Sequence, residues 1–290
     1  MWFTGSLLAQ PLPPGSPLPA EALADHVAKV TSVRAHHPHQ TATQCAQSGG
    51  LEEFELATAC GLGRLEAVHR ELHRMGERYT NTSLHQYKWR KPHVRHFRRL
   101  ISVERPRVVC EIGFDAGHGA AIWLEGTEVE RLNSFDLPFF SFAPYAMAGR
   151  ALVDALYPTR VVLHDGNSDD TVRAHSLKVQ AGAERPCDIW FVDGSHQGRM
   201  PAKDLENALG SAARNRTVVI ADDCTRRWKD VYNAWAAFYS RNAMKPYSLP
   251  DESVQSSRAW AVLPSTTYTY LSYNRQSTGW CAGIWEQAKA

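Results

Sequence analysis

The sequence predicts a doubly wound α/β fold, in which helices cover both faces of a mostly parallel sheet. Short apolar runs rich in β-branched residues alternate with helix-length segments between residues 107 and 241. The first of these runs leads into a glycine-rich turn. Acidic or polar residues follow directly after each of the five runs. In a parallel sheet such strand ends share one edge, and ligands bind at that edge.

Five strands and five helices are predicted in alternation. The strands are expected at 107–112, 131–135, 160–164, 188–192 and 217–221. The helices are expected at about 118–126, 143–156, 169–179, 198–213 and 226–241. The pattern then changes to short strands at Arg258–Leu263, Thr267–Tyr273 and Gly279–Trp285, of which the last two are predicted to form an antiparallel hairpin.

The chain is predicted to have three regions. Residues 1–50 are rich in Pro, Ser, Gln and His, which favours a flexible segment with one short helix at 20–32. Residues 51–106 are predicted to form a helical cap, because apolar residues recur there at helical spacing and Pro92 favours a helix start. Residues 107–290 are predicted to be the main α/β domain.

The composition is that of an ordinary globular protein, with 290 residues and a net charge of +2. No apolar run approaches the roughly 18 residues of a membrane span, so none is expected. The basic stretch 88–107 is interpreted as the solvated face of a helix, and no nucleic-acid partner is expected. The six cysteines show no paired or zinc-binding spacing and are predicted to be mostly buried free thiols. A reducing, cytoplasmic location is therefore expected, although residues 1–20 leave open a remnant of a targeting segment.

The segment Val108–Trp123 combines a buried strand, a glycine turn and the start of a helix. Its turn has the pattern E-x-G-x-x-x-G-x-G, which differs from the G-x-G-x-x-G fingerprint of dinucleotide-binding proteins. The carboxylates of Glu111 and Asp115 would repel a pyrophosphate and suit a ligand that carries positive charge. The turn therefore indicates S-adenosylmethionine (SAM) rather than NAD, with Gly113 and Gly117 letting the ligand approach the backbone closely.

Two further strand ends offer groups that suit an adenosine. Asp136 lies about 20 residues beyond the glycine turn, where an acid accepts hydrogen bonds from ribose hydroxyls. Asn167 and Ser168 follow the third strand and can both donate and accept hydrogen bonds around an adenine. Each of these residues also suits the cap of the following helix, so cofactor binding and capping both remain open.

Carboxylates collect at the ends of the fourth and fifth strands. Asp193, which is also predicted to serve the cofactor site, lies on the strand beside Asp222 and Asp223. These three side chains can share a hard cation such as Mg²⁺ and leave positions for substrate oxygens. A role as helix caps for one or two of them also remains open. His196 is predicted to be the catalytic base, because an imidazole titrates near neutrality.

Three motifs in this order resemble those of class I SAM-dependent methyltransferases. Glu111–Gly119 is similar to the first motif of that fold. Phe191–His196, followed by Asp204, resembles the subgroup with a D-G-x-H motif after strand four. Ile220–Asp223 resembles the metal-binding pair of catechol-type O-methyltransferases. The resemblance covers roughly residues 79–286.

The resemblance implies a Rossmann-like seven-stranded sheet with an antiparallel last strand. It implies that residues 107–290 bind SAM and transfer its methyl group to a hydroxyl of a small-molecule acceptor, assisted by Mg²⁺ or a similar divalent cation. In related macrolide-sugar O-methyltransferases, a histidine placed like His196 is the proposed base. The lysine base of the catechol enzymes has no counterpart at 194–198, which shifts that role to His196.

Several alternatives stay open at this point. They are metal-independent methyl transfer to nitrogen or oxygen, and a catalytically silent binding module that kept the fold. A homo-oligomer is also compatible with the sequence. The identity of the acceptor is not evident, since five aromatic residues suit either a pocket or the core: Tyr79, Tyr87, Trp89, Trp228 and Tyr247.

Overall fold

The computed structural model describes residues 19–36, 62–80, 91–137, 143–213, 215–242, 244–247, 266–271 and 277–286. The helices of this part are α1 (Ala20–His36), α2 (Leu62–Thr80), α3 (Lys91–Glu104), α4 (His118–Leu124), α5 (Ala143–Leu156), α6 (Ser168–Gln180), α7 (Met200–Leu209) and α8 (Lys229–Arg241). The strands are β1 (Val108–Ile112), β2 (Arg131–Asp136), β3 (Val161–Asp165), β4 (Ile189–Val192), β5 (Thr217–Ala221), β6 (Lys245–Pro246), β7 (Thr266–Leu271) and β8 (Ser277–Trp285).

All of these strands belong to one sheet, with the order β3-β2-β1-β4-β5-β8-β6 and with β7 also paired to β8. Strands β1 to β5 are parallel, and β8 is antiparallel to β5. Strand β6 pairs with residues 283–284 of β8, and β7 pairs with residues 277–282. These two strands therefore follow one another along the same edge of β8, and the sheet is seven positions wide. The predicted mostly parallel, seven-stranded Rossmann-like sheet with an antiparallel last strand is confirmed.

The α/β elements lie close to their predicted bounds, and the hairpin of β7 and β8 is present as predicted. The strand predicted at 258–263 lies outside the described residues. Side chains of β1, β4 and β5 alternate between two apolar layers, as in Ile189 and Trp190, which face opposite sides of the sheet and are both fully buried. Burial on both faces explains why these strands are apolar at successive positions rather than at every second one.

The N-terminal helices belong to the same core as the sheet. Val30 of α1, Leu72 of α2 and Phe97 of α3 are buried in one cluster with Val109 of β1. The helix predicted at 20–32 is present as α1, which extends to His36 and packs into the core. Buried residues of α2 and α3 belong to the same core cluster as those of β1.

Glu125, at the end of α4, connects several of these helices. Its side chain is 1 % exposed and accepts hydrogen bonds from Arg34, from Arg64 at 2.9 Å and from the Tyr157 hydroxyl at 2.9 Å. Burial alone would raise the pKa of Glu125, but these donors and their charges hold it below the usual value. Arg98 donates to the backbone carbonyl of Glu125. It is buried, so the interpretation of stretch 88–107 as a solvated helix face is wrong at this residue.

Four cysteines form two disulfides, Cys110–Cys187 and Cys224–Cys281. The prediction of free thiols is wrong for these four, whereas Cys45 and Cys60 lie outside the described residues. The bonded residues are 77 and 57 positions apart in sequence, so local spacing gave no sign of the pairing. The expected reducing, cytoplasmic setting loses its basis, because disulfides persist mainly in oxidising compartments. No helix in the described ranges is long and apolar enough to cross a bilayer.

Candidate functional site

Four predicted site residues lie level with one another at the carboxyl edge of the sheet. In the parallel register, Ile112 is opposite Phe135 and Val192, and Val192 is opposite Ala221. The next residue on each of these four adjacent strands therefore falls in one row: Gly113, Asp136, Asp193 and Asp222. The backbone ladder extends into this row, since the amide of Asp193 donates to the carbonyl of Ile112 at 2.9 Å. The predicted acidic edge is thus present.

The glycine turn is shaped by contacts within the chain. Gly113 has φ +100°, and a Cβ there would lie 2.2 Å from the carbonyl oxygen of Asp193. Gly117 has φ +83°, and a Cβ there would lie 2.7 Å from a methyl group of Val153. Both positions therefore require glycine for conformation and packing, whether or not a ligand is bound. The close approach of Gly113 to Asp193 brings the turn directly against the end of β4.

The carboxylate of Asp136 is fixed against this turn. Its two oxygens accept backbone hydrogen bonds from Asp115 and from Leu137, each at 2.7 Å. Asp115 itself has φ +47°. A carboxylate oxygen has two lone-pair directions, so each oxygen of Asp136 retains one for a ribose hydroxyl.

Glu111 lies beneath the turn rather than at the crevice. Its side chain is fully buried and accepts hydrogen bonds from Trp123 Nε1 at 3.0 Å and from Ser134 Oγ at 2.8 Å. Burial raises the pKa of Glu111 to about 8, against the opposing effect of these two donors. The predicted direct contact of Glu111 with the cofactor does not agree with this placement, and the carboxyl group supports the turn from below.

Asn167 and Ser168 lie after β3. Asn167 caps α6, with its side-chain oxygen accepting from the amide of Asp169 at 3.0 Å, so the capping alternative is present. Ser168 donates to Asp204 at 2.6 Å. Asp204 is 1 % exposed, and burial raises its pKa to about 6. A Cβ on Gly194 would lie 2.6 Å from the second oxygen of Asp204, so this carboxyl group connects the loops after β3 and β4.

Asp193, His196 and Asp223 converge at the same edge. His196 Nε2 lies 3.4 Å from an oxygen of Asp193 and 3.5 Å from an oxygen of Asp223. One donor atom from each of these three side chains lies within 4.8 Å of the others. The predicted metal set was Asp193, Asp222 and Asp223, but in the described structure His196 completes the group in place of Asp222. The side chain of Asp222 is mostly buried beside it.

The electrostatics of this group follow from crowded negative charge. Burial raises the pKa of Asp193, and the neighbouring charges of Asp222 and Asp223 raise it further. The pKa of His196 is raised chiefly by its hydrogen bond to Asp193 and then by the charges of the aspartates, against the effect of burial. An imidazolium or a bound cation therefore stabilises the group.

Trp228 completes the wall behind His196. The two rings stack, with centroids 4.6 Å apart and planes inclined by 28°. The sequence placed Trp228 among five aromatics with no means of choosing between them. Tyr247, by contrast, is buried in the core. The side chains of Tyr79, Tyr87 and Trp89 lie outside the described part of the chain.

These residues fit the predicted ligands. Two carboxylate oxygens and an imidazole nitrogen form a donor set that suits a divalent cation. The acidic row suits a ligand with an ammonium and a sulfonium group, and the fixed carboxylate of Asp136 suits a ribose. The same group is also compatible with a metal-free site, because a protonated His196 lies within ion-pair distance of both aspartates.

Comparison with known proteins agrees with this architecture. Residues 110–224 match the model of a family described as a methyltransferase domain. An O-methyltransferase from Bacillus cereus, solved in complex with S-adenosylhomocysteine (SAH), is 14% identical, with 89% of this chain and 100% of that chain covered and a TM-score of 0.54.

Two other solved structures show the same fold. The O-methyltransferase TomG from Streptomyces achromogenes, involved in tomaymycin synthesis and solved in complex with SAM, is 16% identical, with 86% and 97% of the two chains covered and a TM-score of 0.52. A structure described as a putative O-methyltransferase from Klebsiella pneumoniae is 15% identical, with 77% and 90% covered and a TM-score of 0.51. No curated protein matches the sequence.

The sheet order and these matches agree with one another. Residues 110–224 match the model of a methyltransferase domain, and the chain has the fold of the three solved structures, which are described as O-methyltransferases. The predicted resemblance to class I SAM-dependent methyltransferases is therefore confirmed for this segment and for the fold.

Proposed function

We propose that this protein transfers the methyl group of SAM to a hydroxyl oxygen of a small-molecule acceptor, with a divalent cation such as Mg²⁺ assisting at the acceptor. The observation that carries the proposal is the position of His196 between Asp193 and Asp223, where Asp193 is level with Gly113 of the glycine turn. The three solved relatives are described as O-methyltransferases, which supports oxygen rather than nitrogen as the acceptor.

Cofactor binding is assigned to the first strand ends. The backbone around Gly113 and Gly117 and the side chain of Asp115 form the wall for the methionine part of SAM. Asp136 accepts hydrogen bonds from the ribose hydroxyls. Asn167 and Ser168 lie next to the adenine, where Asp204 holds the Ser168 hydroxyl. Asp193 serves both the cofactor side and the acceptor side of the crevice, and Glu111 supports the turn from below.

His196 takes the proton of the acceptor hydroxyl through Nε2. SAM supplies a methyl group made electrophilic by its positive sulfur. The acceptor oxygen bonds to the methyl carbon as the carbon–sulfur bond breaks, the sulfur keeps the electron pair, and SAH remains. Asp193 and Asp223 stabilise the imidazolium that forms, and Trp228 holds the ring in place by stacking. The chief catalytic factor is positioning of the oxygen in line with the methyl carbon.

A divalent cation would be held by the carboxylates of Asp193 and Asp223, with Asp222 beside them, and His196 Nε2 would stay free to take the proton. When bound, the cation would supply a Lewis acid that lowers the pKa of the acceptor hydroxyl. Metal-independent methyl transfer is the second candidate, because His196 alone neutralises much of the acidic group.

Isothermal titration with SAM tests the first step. Binding is expected, and Asp136→Asn should weaken it by about 10- to 100-fold, since a hydrogen bond to a charged group is worth about 1.5–3 kcal/mol. Glu130→Gln is the matched control, because Glu130 lies just before β2, at the opposite end of that strand. The absence of heat at millimolar SAM would favour a silent binding module over an enzyme.

Formation of SAH with a panel of catechols and hydroxylated sugars tests the chemical step. His196→Asn should lower the rate by about 100- to 10,000-fold, the usual contribution of a general base, and leave SAM affinity unchanged. Full activity of His196→Asn would show that His196 is not the base.

Removal of metal by EDTA separates the two candidates. If the cation is required, EDTA should abolish SAH formation and Mg²⁺ should restore it, with SAM binding unchanged. Asp223→Asn should raise the Mg²⁺ concentration needed more than Asp222→Asn does, because Asp223 belongs to the converging group. Full activity in EDTA would establish the metal-independent candidate.

A further inference from the structure

A second converging group lies on the other face of the sheet from the N-terminal helices. The Cys110–Cys187 disulfide joins β1 to the residue two positions before β4, and both cysteines are fully buried. His175, on α6, lies over this disulfide and is 1 % exposed. The proposed methyl transfer uses none of these three side chains.

The imidazole of His175 is directed at both sulfurs at once. Its Nε2 lies 4.0 Å from Cys110 Sγ and 3.9 Å from Cys187 Sγ. Its Nδ1 is buried and has no hydrogen-bond partner within the described chain. A disulfide has no need of an imidazole above both of its sulfurs, so this arrangement calls for an explanation of its own.

We propose that Cys110, Cys187 and His175 form a redox-controlled site for zinc, which becomes available when the disulfide is reduced. The three donor atoms are those that Zn²⁺ binds most often in proteins, two thiolates and an imidazole nitrogen. Zinc bonds of about 2.3 Å to sulfur and about 2.0–2.1 Å to nitrogen place tetrahedral donors roughly 3.5–3.8 Å apart. The nitrogen is already near that separation from both sulfurs, so only the two bonded sulfurs must move apart.

The reaction balances with a dithiol as reductant. Two electrons and two protons pass from the dithiol to the Cys110–Cys187 bond, which breaks into two thiols, and the reductant leaves as its own disulfide. Zinc then displaces both thiol protons to solvent and binds two thiolates and Nε2. The three protein ligands leave one tetrahedral position for water or another ligand.

The proposed site would maintain a connection between β1 and β4 in both redox states. The disulfide joins them under oxidising conditions, and the zinc ion would join them after reduction. Because Cys110 directly precedes Glu111, this connection lies one residue from the support of the glycine turn. The zinc site is separate from the acidic edge, and it does not depend on methyl transfer.

Cobalt is the probe, because Co²⁺ replaces zinc and its bond to thiolate absorbs light. The 290-residue protein is reduced with a phosphine under anaerobic conditions and titrated with Co²⁺. Thiolate-to-cobalt charge-transfer bands and tetrahedral visible bands are expected at one equivalent, and Zn²⁺ should displace them. The oxidised protein should show neither band.

Paired variants localise the signal. Cys224→Ser/Cys281→Ser should keep the cobalt bands, whereas Cys110→Ser/Cys187→Ser should lose them. His175→Ala should weaken cobalt binding by more than about 100-fold, since loss of even an outer partner of a metal site costs about 10–100-fold. Bands that persist in Cys110→Ser/Cys187→Ser, or are missing from the reduced, folded protein, would overturn the proposal.

Thermal unfolding gives a second measurement. Zinc should raise the melting temperature of the reduced protein but not that of the Cys110→Ser/Cys187→Ser variant. Should the reduced protein unfold without metal, zinc should restore its near-ultraviolet circular dichroism. Failure of zinc to stabilise or restore the reduced chain would also contradict the proposal.

Discussion

Two buried glutamates at opposite ends of the α4 segment have opposite electrostatic surroundings. Glu125, just after α4, is paired with Arg34 and Arg64, and its pKa is lowered. Among the described residues, Glu111, just before the glycine turn, accepts from the neutral donors Trp123 and Ser134, and its pKa is raised to about 8. Both side chains are almost completely buried.

The two surroundings correspond to two roles, since Glu125 joins helices and Glu111 lies beneath the candidate site. Two arginines neutralise the carboxylate that connects the helices, whereas Asp193, Asp222 and Asp223 lie together at the crevice beside His196. The pKa of Asp193 is raised by burial and by the neighbouring aspartates. A crevice in which carboxylates crowd together is suited to a cationic ligand, and perturbed carboxylates of this kind are typical of functional sites.

The largest expected effect comes from removing the charge of Glu125, which pairs with Arg34 and Arg64. Glu125→Gln should lower the free energy of unfolding by about 3–5 kcal/mol, because it leaves the half-buried Arg34 and Arg64 without their counter-charge. Urea denaturation followed by tryptophan fluorescence measures this. Glu66→Gln, at an exposed position on α2, is the control and should change stability by less than about 0.5 kcal/mol. Similar values for the two variants would refute the role of Glu125 as a charged centre.

The next largest effect is expected from removal of the disulfide that follows β5. Cys224 follows Asp223 directly and is bonded to Cys281 of β8. Cys224→Ser/Cys281→Ser should lower the free energy of unfolding by about 2–4 kcal/mol, the usual contribution of a disulfide. The control is the wild type measured with and without reductant. Reduction should lower its free energy of unfolding by at least as much as the double substitution does. An unchanged urea midpoint in the double variant would show that this disulfide does not stabilise the fold.

The two glutamates should also give opposite dependences of stability on pH. The folded pKa of Glu111 is raised from 4.5 to about 8, so its contribution is complete below 4.5 and is lost as pH rises through about 8. Over that window wild type should lose stability relative to Glu111→Gln by about 1.4 kcal/mol per pH unit.

For Glu125 the folded pKa is lowered, so its contribution is present above the unfolded pKa and is lost as pH falls through the folded value. Wild type should therefore lose its advantage over Glu125→Gln in acid. Urea midpoints from pH 4 to pH 9, compared with each Gln variant, measure both dependences. If the two stability differences changed with pH in the same direction, the opposite pKa shifts assigned to Glu111 and Glu125 would be wrong.

The smallest effect is expected for Glu111→Gln at pH 4, below the range in which the raised pKa of Glu111 costs the wild type stability. The wild-type carboxyl group already carries a proton there, so an amide of the same shape should cost only about 1 kcal/mol, for one imperfectly paired donor. Urea denaturation beside Glu125→Gln gives the direct comparison. A loss as large as that of Glu125→Gln would mean that Glu111 is ionised in the folded protein.

The sequence was sufficient to predict the sheet and its acidic edge. Apolar runs define parallel strands, and the residues after them, such as Asp136 and Asp193, must then meet at one edge. The partners of buried charges were not predictable in this way. Glu125 meets Arg34 only because α1 packs against α2 and α5 in the folded protein, and no local pattern connects positions 91 residues apart.

The disulfides escaped prediction for the same reason. Cys110 and Cys187 become neighbours only when β1 and β4 pair, and the absence of a short cysteine spacing was wrongly taken to indicate free thiols. The inward position of Glu111 was also hidden, because the alternation of a strand buried on both faces does not show which side a carboxylate takes. His196, and not Asp222 as predicted, completes the group with Asp193 and Asp223, because its imidazole lies close to the Asp193 carboxylate.

Strand β8 lies between β5 and the pair β6 and β7, although it follows all of them in the chain. During synthesis on the ribosome, β5 and β7 therefore emerge before the strand that joins them. Until residues 277–285 leave the exit tunnel, the outer edge of β5 has no partner and Cys224 has no sulfur to bond. A nascent chain stopped before residue 277 would present an open sheet edge to chaperones and to other chains.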